Sequence, residues 1–239
     1  MGNKIYSLLL AFSIFHVCLS NSIDDHSEII NELKSIVAST IEQLKLYQNN
    51  FQSDVKINLQ TVQNDSIWKI NKDLNYVSSS IMNAVNAVGS TGKNAQSCYE
   101  ACKVSLKNLN KQTNNKLDKC YYSFSYYTEP ALKEIKTAIQ NGENISEDLD
   151  TIFIGCTKHL TESGDCLTEK IEEVRKTLKK MQTNVNDIKN IGTSSMNKAK
   201  TVVTSCSEKA VRYLHVEATF NIQREANICV RNIYNEYNY

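Results

Sequence analysis

The stretch LTEKIEEVRKTLKKMQTNVNDI, residues 167–188, sets Leu167, Ile171, Val174, Leu178, Met181, Val185 and Ile188 on alternating steps of four and three. Steps of that size keep one face of an α-helix apolar over three turns or more, which is the signature of a helix packed lengthwise on other helices. The positions between are polar. Arg175-Lys176 and Lys179-Lys180 stand beside Glu169, Glu172 and Glu173, so the basic run reads as a solvated face laced with i,i+4 pairs, not as an anion-binding patch.

Working outward, the same spacing recurs on both sides. Upstream, Ile30, Leu33, Val37, Leu44, Tyr47, Phe51, Val55, Leu59 and Val62 form one stripe, and Ile67, Ile70, Leu74, Val77, Ile81, Val85 and Val88 form another, with Gln63-Asn64-Asp65-Ser66 read as the break between them. Gly89-Ser90-Thr91-Gly92 is a further break. A third helix carries Cys98, Cys102, Leu106 and Leu109, with a bend over Asn110–Asn115, and resumes through Leu117, Cys120 and Phe124. Thr128 opens a new start with Pro130 in its first turn, where a missing N–H costs nothing. Asn141-Gly142 ends that helix, Ser146 caps the next, and Gly192-Thr193-Ser194-Ser195 closes the 167–188 helix. A last helix runs from about Met196 to Tyr237, bent near Phe220. The expectation is an all-α fold: an elongated, disulfide-linked bundle of six to seven helices, the longer ones coiled-coil-like.

Composition points the same way. Across 239 residues there are 7 Gly and 1 Pro, too few turn formers for a β-sandwich or an α/β enzyme of this length. The 27 Lys+Arg balance 26 Asp+Glu, which argues against nucleic acid, heparin or anionic lipid as the main partner.

Residues 1–20 combine a short n-region with an apolar run from Ile5 to Leu19, and Cys18-Leu19-Ser20 offers a cleavage site, so the reading is a signal peptide and a soluble secreted protein. An uncleaved anchor is disfavoured because the run is shorter than the ~20 residues a span needs. The remainder divides into a cysteine-free amphipathic helical region, 21–92, and a cysteine-bearing helical domain, 93–239. Two sequons, at Asn64 and Asn144, fall at predicted helix breaks, and at least one is expected to be glycosylated, which makes the chain a glycoprotein.

In an oxidising compartment Cys98, Cys102, Cys120, Cys156, Cys166, Cys206 and Cys229 should be mostly paired, with one left over that is free or bonded to a second chain in a disulfide-linked dimer. Cys98 and Cys102 share a helical face, as zinc ligands would, yet no Cys/His pair at zinc spacing follows and His26, His159 and His215 are scattered. Disulfides are therefore preferred over metal. Cys206 and Cys229 cannot pair along one unbroken helix, because a bridge needs Cα atoms within roughly 7 Å. Cys156 and Cys166 can, across a turn at Glu162-Ser163-Gly164-Asp165.

No constellation amounts to a catalytic site. There is no G-x-S-x-G elbow, H-E-x-x-H helix, Walker loop or G-x-G-x-x-G turn. Asp24-Asp25-His26 reads as acidic residues at a helix start, His215-Val216-Glu217 lacks a third ligand, and Trp68, Tyr121-Tyr122 and Tyr126-Tyr127 read as core rather than pocket. No enzyme activity, cofactor or metal is expected.

The signal peptide, the helical heptads, and cysteines arranged as Cys98 with Cys120, then Cys156 with Cys166 (GCTKHLTESGDC), then Cys206 and Cys229, resemble the TsetseEP-type domain of insect secreted proteins over roughly residues 95–235. Cys102 is extra to that pattern, so it or Cys98 becomes the candidate unpaired thiol, and the Glu-Pro repeat tail of the family is missing. The resemblance implies an extracellular, disulfide-bonded insect protein without catalysis, from gut or secretory tissue. Two functions follow: a secreted interaction or structural protein of gut, saliva, venom or haemolymph that binds an extracellular partner, or a carrier of a small hydrophobic ligand or lipid on its amphipathic helices.

Overall fold

A computed structural model describes residues 23–156 and 163–236 of the chain. Three long helices, α1 (Ile23–Gly89), α2 (Gln96–Cys156) and α3 (Ser163–Val216), are followed by a π-helical segment, Glu217–Ile222, that leads into α4 (Gln223–Asn235). No strand occurs among the described residues. At 1.5 Å per residue α1 alone is roughly 100 Å long.

The helices run up, down and up. Lys34–Asp150 and Lys45–Glu143 ion pairs show α1 and α2 antiparallel. Three of the contacts between α1 and α3 share one offset: His26 meets Thr168, Tyr47 meets Lys189 and Asp73 meets His215, each pair 142 residues apart. Beyond the π-helical segment the separation becomes 143, at Ser80 and Gln223. A π turn accommodates one extra residue without turning the helix that follows it. The segment thus absorbs a single surplus residue in the third helix.

The bundle changes periodicity along its length. Buried positions of α2 run Cys98, Cys102, Leu106, Leu109, Thr113, Leu117, Cys120, Phe124, Thr128 and Ala131, in steps of four, four and three, and then Ile135, Ala138, Gly142, Ile145, Leu149, Ile152 and Cys156, in fours and threes. The first pattern is an 11-residue repeat, which favours a nearly straight or slightly right-handed course, and the second is a left-handed heptad repeat. α1 and α3 change at the same level. The heptad half holds one core, built on Ile30, Val37, Leu44, Ile135, Leu149 and Leu167. A second core, with Ile70, Val77, Ile81, Leu117 and Leu214, fills the far half. Between them sits Phe124 against Ala199 and Val203.

Five of the expected breaks and bends are absent, so among the described residues six to seven helices become three long ones and a short fourth. Gln63–Ser66 lies inside α1, where Ser66 is buried and satisfies its hydroxyl by donating to the Val62 carbonyl at 2.8 Å. Asn110–Asn115 continues α2, with Thr113 buried in the stripe. Pro130 is interior to α2 and not at a start. Asn141-Gly142, Ser146 and Gly192–Ser195 are likewise helical. The two glycines there serve close approach rather than termination: a Cβ on Gly142 would lie 2.7 Å from both Ile41 and Met181, and one on Gly192 2.2 Å from the Tyr47 hydroxyl. The break at 89–92 is real, and Gly92 takes the positive φ of 81° that its turn requires. Asn94 then accepts a hydrogen bond from the Gln96 N–H at 3.0 Å and opens α2. Near Phe220, where a bend is expected, the helix is π-helical. Of the expected turn at 162–165, residue 162 lies outside the described residues and Ser163–Asp165 form the first turn of α3.

Candidate functional site

Three disulfides cross the bundle: Cys98–Cys229, Cys120–Cys206 and Cys156–Cys166, with Cα separations of 5.9, 5.6 and 5.7 Å. The Cys156–Cys166 bridge matches the expectation from sequence. Cys98 and Cys120 are not partners. Both lie on the buried stripe of α2 and pair across the bundle, Cys120 with Cys206 on α3 and Cys98 with Cys229 on α4, and Cys206 and Cys229 stay apart as helix geometry demands. The bridges tie α2 to α3 at one end and in the middle, and to α4 at the other end.

Cys102 is the unpaired thiol among the described residues. It is 4% exposed, one turn beyond Cys98 on the same stripe, and burial pushes its pKa up, so little thiolate forms. In this conformation it cannot reach a second chain. A chain that begins at Asn21, and so lacks Cys18, is therefore expected to show no reaction with a thiol reagent at neutral pH and one reactive thiol after denaturation without reductant. Rapid labelling of the native state would contradict this burial. Of the two thiols weighed as zinc ligands, Cys98 is taken up by its bridge to Cys229.

The other sites scatter. Residues 1–20 and His159 lie outside the described residues. Asp24 and Asp25 occupy the first turn of α1, while His26 is buried with Nε2 3.2 Å from the Thr168 hydroxyl and its other ring nitrogen unpartnered. His215 pairs with Asp73 at 3.1 Å. Asn64 and Asn144 are exposed but sit within α1 and α2, not in loops. Contrary to the core reading, Trp68, Tyr122 and Tyr126 are 60%, 77% and 68% exposed. Only Tyr121 and Tyr127 turn partly inward, against the Phe124 cluster.

Three features were not foreseen. Ser66, Tyr121 and Ser207, one from each long helix, bring buried hydroxyls to one level next to the Cys120–Cys206 bridge, and burial raises the Tyr121 pKa. A polar layer of this kind favours one register over its neighbours. The second is a groove of about 500 Å³ between α2 and α3, lined by Tyr126, Tyr127, Pro130, Ser194, Ser195 and Lys198. It lies where the periodicity changes. Another groove, about 450 Å³, has Ala38 and Ile41 between α1 and α2 with the Lys45–Glu143 ion pair at its rim. No described helix is long and apolar enough to cross a membrane. Comparison with protein-family models, curated proteins and solved structures finds no match.

Proposed function

We propose that this is a secreted, non-catalytic helical interaction protein of insect gut, salivary, venom or haemolymph secretion, related to the TsetseEP-type proteins and acting through its surface. The observation that supports this reading best is the cross-linking of α2 to α3 and α4 by three bridges at three levels, with α1 packed along them, an arrangement suited to an oxidising compartment and to a rod that keeps its shape. The carrier reading draws less support. The apolar face of α1, the helix free of cysteines, is spent on the shared cores, and opening it onto lipid would expose Ile30, Val37, Leu44, Ile70 and Val77.

Expression of the full chain through a eukaryotic secretory pathway tests the proposal. The expected product in the medium begins at Asn21, carries three bridges and one thiol by mass, and adds hexose-containing mass at Asn64 or Asn144. Retention in the cell with residues 1–20 attached would sink it. Native mass spectrometry of the same material should show no co-purifying lipid, and a stoichiometric lipid would favour the carrier.

A further inference from the structure

We propose that the groove beside Pro130 binds a pyranose ring of a glycan, an inference that rests on the reading of the rod as an extracellular interaction surface and names the chemistry of its partner. Pro130 interrupts α2 chemically without ending it. Lacking an N–H, it leaves the Tyr126 carbonyl, four residues back, without its helical donor. The nearby Thr128 hydroxyl does not compensate, since it donates to Phe124 at 3.0 Å and reaches Ser125 at 3.5 Å. A carbonyl deprived of its i+4 donor therefore belongs to a residue that lines the groove.

The facing side of the groove supplies donors. Ser194 and Ser195 are adjacent on α3, and neither hydroxyl has a partner among the described residues, unlike Thr193 just before them, which donates to the Lys189 carbonyl at 3.0 Å. Lys198, one turn on, holds its ammonium 5.0 Å from the centre of the Tyr127 ring. Tyr126 stands edge-on to Tyr127, with centroids 5.3 Å apart and planes at 83°. That contact steadies an aromatic ring that is otherwise 68% exposed.

A pyranose presents an apolar C–H face and a rim of hydroxyls, each both donor and acceptor. The face stacks on an aromatic ring and the rim pairs with hydroxyl, carbonyl and ammonium groups, which is the inventory of this groove. A purely apolar ligand would leave the serines and the carbonyl unpaired, at a cost in affinity. A cationic ligand would meet Lys198 and find no carboxylate among the lining residues. The volume is in the range of small-ligand sites. Because the groove is open, a single ring should bind with a dissociation constant on the order of 1 mM.

Saturation-transfer NMR on the purified oxidised chain, with methyl α-mannoside, methyl β-galactoside and N,N′-diacetylchitobiose as probes, tests the free sugar. An array of immobilised N-linked and mucin-type glycans tests the same ring within a chain on a surface. The expected result is saturable binding to at least one probe, weakened at least tenfold by Tyr126→Ala and by Ser195→Val and unchanged by Tyr122→Ala, an exposed tyrosine outside the groove. All variants should retain three bridges and the parental melting curve. No binding in either format, or binding that survives Tyr126→Ala or is lost with Tyr122→Ala, would overturn the proposal. Failure of secretion in the earlier experiment would leave this result standing, since the assay uses purified protein.

Discussion

Replacing Cys98 and Cys229 together by alanine is expected to destabilise the oxidised chain by about 4 kcal/mol, against about 3 kcal/mol for the Cys156/Cys166 pair. The sequence separations of 131 and 10 would suggest a larger gap. The bridges are nested, however, and with Cys120–Cys206 intact the outer bridge closes only the arms from Cys98 to Cys120 and from Cys206 to Cys229. That leaves an effective loop of roughly 45 residues. Removing both partners also leaves Cys102 no released thiol one turn away with which to pair. The loss should be felt first in α4, which buries only Ala226 and Val230. Hydrogen exchange over 223–235 should rise before the rest of the bundle responds. Denaturant midpoints of the two double variants check the order. An equal or greater loss for the Cys156/Cys166 pair would contradict the nested-loop account.

How far the fold was legible from residues alone is shown by the two halves of α2. From Ala131 to Cys156 the buried stripe follows the four-three pattern that identifies a long packed helix on sight. From Cys98 to Ala131 it follows four-four-three, and a reader expecting heptads sees drift where the structure has a different regular repeat. Stop signals were overweighted for a related reason. Gly, Asn and Pro cost a helix interior about 1–3 kcal/mol at most. Each long helix offsets that with more than a dozen buried contacts. Gly142 and Gly192 were noticed as punctuation, whereas their role is the absence of a side chain where Ile41, Met181 and Tyr47 press in. The groove is not legible in the sequence because Pro130 reads locally as a helix start and Ser194-Ser195 as a helix end. Only the antiparallel register of α2 and α3 brings them together. The Ser66, Tyr121 and Ser207 layer escaped for the same reason, since nothing local marks three separated hydroxyls as neighbours.

Register also sets the sharpest contrast between two deletions. Removing Thr183, an exposed residue whose hydroxyl bonds only to the Lys179 carbonyl, should cost on the order of 10 kcal/mol and abolish the native bundle. The chain on one side of the gap must rotate by about 100° about the helix axis. If the upstream part slips, Leu167, Ile171, Val174, Leu178 and Met181 leave the core and Cys166 leaves its partner; if the downstream part slips, Val185, Ile188, Val203, Ala210 and Leu214 leave with Cys206. Removing Phe220 deletes a much larger side chain and should be tolerated. Phe220 is 65% exposed and lies in the π-helical segment that holds the surplus residue. Without it the helix closes to regular α geometry, the separation from α1 returns to that found upstream, and Ala226, Cys229 and Val230 keep their faces. Peptide mapping without reduction should find all three bridges in the Phe220 deletion, with a melting temperature close to the parent. A missing Cys98–Cys229 bridge would show that the π turn does more than absorb one residue.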